Sequence, residues 1–174
     1  MTTNELQELL QSWKNIPLMI RYISGNPQHL DVLMEVALDD SHPENWRAVW
    51  MIDKIHEQHP ELVIPLLPIL TTFVLTTLND GKRRHLLKLI SLHDIPEEKM
   101  AELLNYCLTV FSNAKEPVAV RVHAMQILFN IAQKEHDFTG ELIGLIEHET
   151  EYHGSAGIRS RGTKILKKLY EMKN

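Results

Sequence analysis

The side chains best suited to chemistry in this sequence are cationic, and they recur. Arg83, Arg121 and Arg159 stand 38 residues apart, and a second row, Arg47, His85, His123 and Arg161, follows two positions later in the same register. A guanidinium presents a rigid fork of donors that suits carboxylates, phosphates and backbone carbonyls. Residues two apart on a helix point in different directions, so the two rows cannot share one groove. Either role stays open for a row: pairing with carboxylates or carbonyls of the neighbouring segment, or a ladder of phosphate contacts. Trp46 and Trp50, four apart, lie on one helix face with Arg47 turned aside. Exposed, that face would grip a peptide or a base; buried, it would wedge helices apart. Trp13 is expected in the core. The candidate binding residues are therefore Trp46, Arg47, Trp50, Arg83, Arg121, Arg159 and Arg161.

Other chemistries find less support. His56 with His59, or Glu149 with His153, would place two metal ligands on one helix face. A closed zinc site needs four ligands and a catalytic one three, and no HExxH or paired-cysteine motif supplies the rest, so neither metal nor cofactor is expected. Cys107 is the lone cysteine, which excludes an internal disulfide. It falls in an apolar stretch where a thiol is inert, with Ile69 and Leu145 as core partners in the register. No Gly-x-Ser-x-Gly elbow and no glycine-rich phosphate loop occurs. The carboxylate pairs Glu147 with Glu149 and Asp39 with Asp40 are expected to be solvated. Nothing here assembles a catalytic constellation, and the protein is expected not to be an enzyme.

Charge is distributed unevenly. The net charge is −5, yet Ala156 to Asn174 holds six cations against Glu171 alone, which leaves −10 on the preceding 155 residues. A basic segment of this kind suits either a solvated final helix or a contact patch for nucleic acid or an acidic partner. The first residues, MTTNELQELLQSWK, resemble neither a secretory signal nor a transit peptide. With one cysteine, a cytoplasmic location is the expectation. Leu62 to Leu78 carries no charge over 17 residues, the lower edge of a membrane-spanning length, but Pro65, Pro68 and four threonines favour a helix packed on both sides.

The elements that must position these groups are helices. Apolar spacing near 3.6 residues dominates, and turn signals at Ser24 to Pro27, Asp39 to Pro43, His59-Pro60, Asn79 to Gly81, Asp94 to Pro96, Glu116-Pro117 and Tyr152 to Ser155 cut the chain into short segments. Laid over one another at steps of 38, the segments coincide. Ala48, Leu86, Ala124 and Gly162 align, as do Met51, Leu89, Ile127 and Ile165, and Ile52, Ile90, Leu128 and Leu166. Ile55, Ile131 and Leu169 follow, with His93 as the exception. Second-helix positions repeat through Leu62, Met100 and Phe138, then Leu66, Leu104 and Leu142, then Leu70, Leu108 and Ile146. One helix pair has too little apolar surface to hide alone, so stacked pairs would form a continuous core. Ala48, Ala124 and Gly162 would permit close helix approach.

The pattern predicts an all-α, right-handed α-α superhelix of about four stacked helix pairs forming one domain. Residues 1–40 fit the register poorly and are read as atypical capping helices. Residues 43–79, 81–113 and 117–153 form helix-pair repeats, and 155–174 a C-terminal helix.

Pro117, Val120, Arg121, Ala124, Leu128 and Ile131 resemble the first-helix pattern of a HEAT repeat, and the resemblance covers residues 43–174. The other repeats depart from it, with Asn45 where Arg121 aligns, Leu86 where Ala124 aligns and no counterpart of Pro117 at 41 or 79, which keeps armadillo-type repeats open. The resemblance implies a scaffold that binds a partner protein along its surface, and a structural bond for the repeat arginine; apart from the resemblance, a monomer or weak homodimer without membrane contact is expected. HEAT-like alkylation-repair DNA glycosylases share the general architecture, which makes nucleic acid the alternative partner; the nearest comparable cluster is Trp46, Arg47, Trp50 and Asp53.

Overall fold

Helices form where the apolar spacing predicts them. The computed structural model of the protein describes residues 1–173; Asn174, the last residue of the expected 155–174 helix, lies outside the described residues. No strand occurs among the described residues. The chain divides into two compact units, Met1–Leu89 and Ile90–Asn174.

In the first unit, α1 (Thr3–Leu10) opens with a capping box. The Thr2 hydroxyl accepts from the Glu5 N–H and the Glu5 carboxylate accepts from the Thr2 N–H, so two otherwise orphaned donors are satisfied. Then come α2 (Ile16–Gly25), α3 (Leu30–Leu38) and α4 (Trp46–Gln58), and α3 packs on both α1 and α4. The uncharged stretch after α4 is not one helix. Pro65 and Pro68 remove backbone donors, and the chain passes through α5 (Pro60–Val63), a 3-10 turn at Ile64–Leu66 and α6 (Leu67–Val74). Nor is it packed on both sides. Val63, Leu70 and Val74 are buried, while Ile64, Ile69 and Leu78 face solvent, Ile69 at 50% exposure. Ile69 is thus no core partner of the fully buried Cys107, whose thiol is pushed up by burial. No helix among the described residues is long and apolar enough to cross a membrane. Helix α7 (Asp80–Ser91) follows, and its completely buried Lys82 donates to the Asp39 carbonyl and the Asp40 carboxylate, both at 2.7 Å. Asp40 is therefore not merely solvated: it neutralises a cation that could not otherwise be buried.

The second unit consists of the end of α7 with α8 (Glu97–Ser112), α9 (Val118–Ala132), α10 (Thr139–Tyr152) and α11 (Ala156–Lys173). Helix α9 is central, with apolar side chains buried nearly all round, and α8, α10 and α11 all pack on it. Helix α11 also packs on α10, and Gly162 permits their approach. A Cβ at Gly162 would stand 2.6 Å from Thr150 Cγ2 and 3.3 Å from Ile146 Cγ2. Thr150 cannot easily swing away, because its hydroxyl donates to the Ile146 and Glu147 carbonyls. Gly144, in α10, has nothing within 4 Å of the same position.

Two alanine substitutions should therefore have opposite signs. Gly144→Ala is expected to stabilise by roughly 0.5–1 kcal/mol through helix propensity. Gly162→Ala is expected to destabilise by about 1–2 kcal/mol, since overpacking outweighs that gain. Urea midpoints of the two variants check this; equal shifts in the same direction would remove the close-approach argument.

Candidate interaction groove

Trp46 and Trp50 sit one turn apart on α4 because apolar and aromatic residues at that spacing share a face. Neither is fully buried. Their partner is Trp13, in the turn after α1, which meets Trp46 edge-on at 5.7 Å between ring centroids and Trp50 at 5.4 Å. Edge-to-face pairs at these distances bring the positive ring edge to the negative face. Trp13 is not in the core as expected: it is 46% exposed, because the turn carrying it lies over α4 rather than beneath it.

Arg47 fixes that turn. Its guanidinium donates to the Leu10 carbonyl at 2.5 Å, pairs with Glu44 at 2.8 Å and lies 4.8 Å from the centre of the Trp13 ring. Its side chain is largely covered, so its contacts serve to position Trp13. The opposite wall is the start of α7. Gly81 approaches so closely that a Cβ there would lie 3.1 Å from Trp46 Cγ. Together Trp13, Trp46, Trp50, Asn79, Asp80, Arg84 and His85 line a hollow of about 570 Å³.

The electrostatics leave this hollow with spare positive charge. Asp80 is paired with Arg83 at 3.1 Å, whereas Arg84 is exposed at the rim. His85 is almost buried, and its Nδ1 lies 2.9 Å from the carboxylate of Asp53. Lys88 Nζ donates to the same carboxylate at 2.8 Å and to Glu57 at 2.9 Å. Burial alone would raise the Asp53 carboxyl, but the hydrogen bonds from His85 and Lys88 and the Lys88 charge hold it below the ordinary range. This network ties α4 to α7 and so fixes the groove's two walls. A second hollow, of about 680 Å³, lies against α1 and α2, rimmed by Glu5 and Glu8. It lacks the tryptophan and arginine side chains that most often anchor protein interfaces.

The arginines of the 38-residue register do not form one surface. Arg83 is nearly buried beside Asp80. Arg121 is buried, and donates through Nε to the Phe111 carbonyl at 2.9 Å, through one terminal nitrogen to the His153 carbonyl at 3.3 Å and through the other to Glu149 at 2.6 Å. Arg159 is exposed and reaches the Thr150 carbonyl at 3.4 Å, and Arg161 donates to Gln126 at 2.9 Å. Glu149, expected to be solvated, is only 3% exposed, because α9 places the Arg121 guanidinium against it. Equal register positions thus meet unequal surroundings.

A family model for the HEAT repeat domain matches residues 2–169, nearly the whole chain. The chain belongs to the HEAT repeat family. The match takes in residues 2–40, where the 38-residue register fades, so HEAT membership extends beyond the region in which single residues show it. HEAT repeats commonly serve as protein-interaction scaffolds and are generally non-enzymatic. Comparisons with characterised proteins and with solved structures returned no match.

Proposed function

We propose that this HEAT repeat protein is a non-enzymatic scaffold that holds a segment of a partner protein in the tryptophan groove of its first unit, in a reducing, cytoplasmic setting. The observation that carries the proposal is the half-exposed Trp13, held by Arg47 against Trp46 and Trp50 beside the exposed Arg84. Rigid aromatic side chains with a neighbouring arginine anchor interfaces at low entropic cost, whereas most surrounding contacts contribute little. The spare cation favours a partner segment carrying a carboxylate next to an apolar or aromatic side chain. His85 lines this hollow in a pair with Asp53, and both groups are almost closed to solvent, which fits a structural tie better than proton transfer.

The test is retention of a protein partner from a native lysate of the source organism by the immobilised full chain, with and without nuclease. Trp13→Ala combined with Arg84→Glu should abolish a nuclease-resistant capture while leaving the far-ultraviolet circular dichroism spectrum unchanged. Undiminished capture by that variant would overturn the groove. Capture that disappears with nuclease or falls steeply with salt would instead assign the protein to nucleic acid.

A further inference from the structure

Besides the tryptophan groove of the first unit, the second unit contains two imidazoles that converge on a buried ion pair without being needed for it. Arg121 anchors itself on the Glu149 carboxylate and on the Phe111 and His153 carbonyls. Neither imidazole takes part in that set. Yet His148 Nδ1 lies 3.2 Å from Glu149 Oε1, and His153 Nδ1 lies 3.2 Å from Glu149 Oε2. One ligating atom from each of the three residues falls within 4.8 Å of the other two. Sequence spacing alone pairs Glu149 with His153 and misses His148. The third ligand joins because His153 caps α10 with φ −132° and ψ 20°, outside helical geometry, which leaves its ring off the helical phase and brings it beside that of His148, at 5.9 Å between ring centroids.

We infer that His148, Glu149 and His153 form a binding site for a divalent transition-metal ion of the zinc and nickel class. Zinc holds nitrogen and oxygen ligands at about 2.0–2.1 Å, which keeps neighbouring ligands of a tetrahedral site about 3.3 Å apart. Each imidazole nitrogen already stands 3.2 Å from a Glu149 oxygen, His148 from Oε1 and His153 from Oε2. The three ligating atoms have to draw together around the ion, and both imidazoles stand at the surface, where they can do so, with side-chain exposures of 56% and 41%. Glu149 is the fixed ligand: it is buried, and Arg121 sets its orientation while leaving lone pairs on both oxygens. The same guanidinium holds the His153 backbone, so one outer partner orients two of the three ligands.

Charge decides the class of ion. The carboxylate is already neutralised by Arg121, so the three ligands and their arginine carry no net negative charge. A hard cation such as calcium or magnesium, which depends on oxygen ligands and charge, gains little here. An ion of borderline softness gains two imidazole bonds. Three protein ligands leave the remaining positions to water or to a group from another molecule.

The experiment is a titration of the metal-free full chain with zinc chloride by calorimetry, and with cobalt chloride by visible absorption. One ion per chain in the micromolar range is expected, with cobalt giving the bands of low-symmetry coordination, and no heat from magnesium. His148→Ala and His153→Ala should each weaken zinc binding by roughly 10- to 100-fold, at least the range that loss of an outer-shell partner produces. Both residues are exposed, so these variants fold whatever happens to Glu149→Gln. His59→Ala, in the first unit, should leave the titration unchanged. Binding only at millimolar zinc, or binding unaffected by both His148→Ala and His153→Ala, would overturn the assignment.

Discussion

Replacing Arg121 by alanine is expected to cost about 3–5 kcal/mol of folding stability, the range for removing one partner of a buried ion pair. Glu149 would be left as an uncompensated anion at 3% exposure, and the Phe111 and His153 carbonyls would lose their donors. These acceptors lie at the end of α8 and around the end of α10, so one side chain of α9 secures both neighbouring helices. The charge left behind accounts for most of the loss. Arg121→Met with Glu149→Met should therefore be far less harmful than the sum of its single changes, with the difference appearing as a coupling energy in the double-mutant cycle. Denaturant midpoints of the four proteins check the prediction. If Arg121→Ala instead left stability unchanged while partner retention fell, the arginines of the register would be ligand contacts and the structural assignment would be wrong.

Much of the fold could be read from periodicity because core packing enforces it locally. The first-helix positions Met51, Leu89, Ile127 and Ile165 are all buried, and so are Ile55, Ile131 and Leu169. The second-helix positions are less uniform: Leu70, Leu142 and Ile146 are buried, while Leu62, Met100, Leu104 and Leu108 are only half covered. A helix at the surface of a stack keeps its apolar spacing even where burial is partial, so the register survives and the degree of burial does not.

The candidate groove was legible to a smaller extent. The i,i+4 relation of Trp46 and Trp50 follows from helix geometry, but their third ring lies 33 residues before Trp46, in a turn that has no periodicity. Charged residues were the hardest to place. Glu149 looks like any helix-end carboxylate until α9 brings a guanidinium to it from 28 residues away. Likewise Arg83, Arg121 and Arg159 hold one register position yet range from buried to exposed, because a repeat fixes backbone positions while the neighbouring side chains differ.

The second large effect is expected at Asp53, where pH supplies an independent check. This carboxylate is 1% exposed and receives both His85 and Lys88. Asp53→Ala removes the shared acceptor and leaves two buried or half-buried donors facing each other, so a loss of about 3–5 kcal/mol is expected, and a smaller one for Asp53→Asn. Because the folded-state pKa is lowered from 3.8, the stabilisation is fully present above that value. It is lost as the pH falls through the folded-state pKa, so the wild-type melting temperature should drop steeply below about pH 4. Lys88 is shifted the other way: burial lowers its pKa, but the bonds to Asp53 and Glu57 raise it overall above 10.5. Its share of the stabilisation is present below 10.5 and lost as the pH rises through the raised value. Asp53→Asn should flatten both flanks of the stability profile, which thermal melts across the pH range would reveal. An unchanged acid flank in that variant would show that Asp53 does not govern it. The same variant also separates scaffold from contact surface. Trp13→Ala with Arg84→Glu removes the docking side chains and should abolish capture without lowering the melting temperature by more than a few degrees. Asp53→Asn leaves every exposed anchor in place but loosens α4 from α7, so its capture should weaken only as far as its stability does.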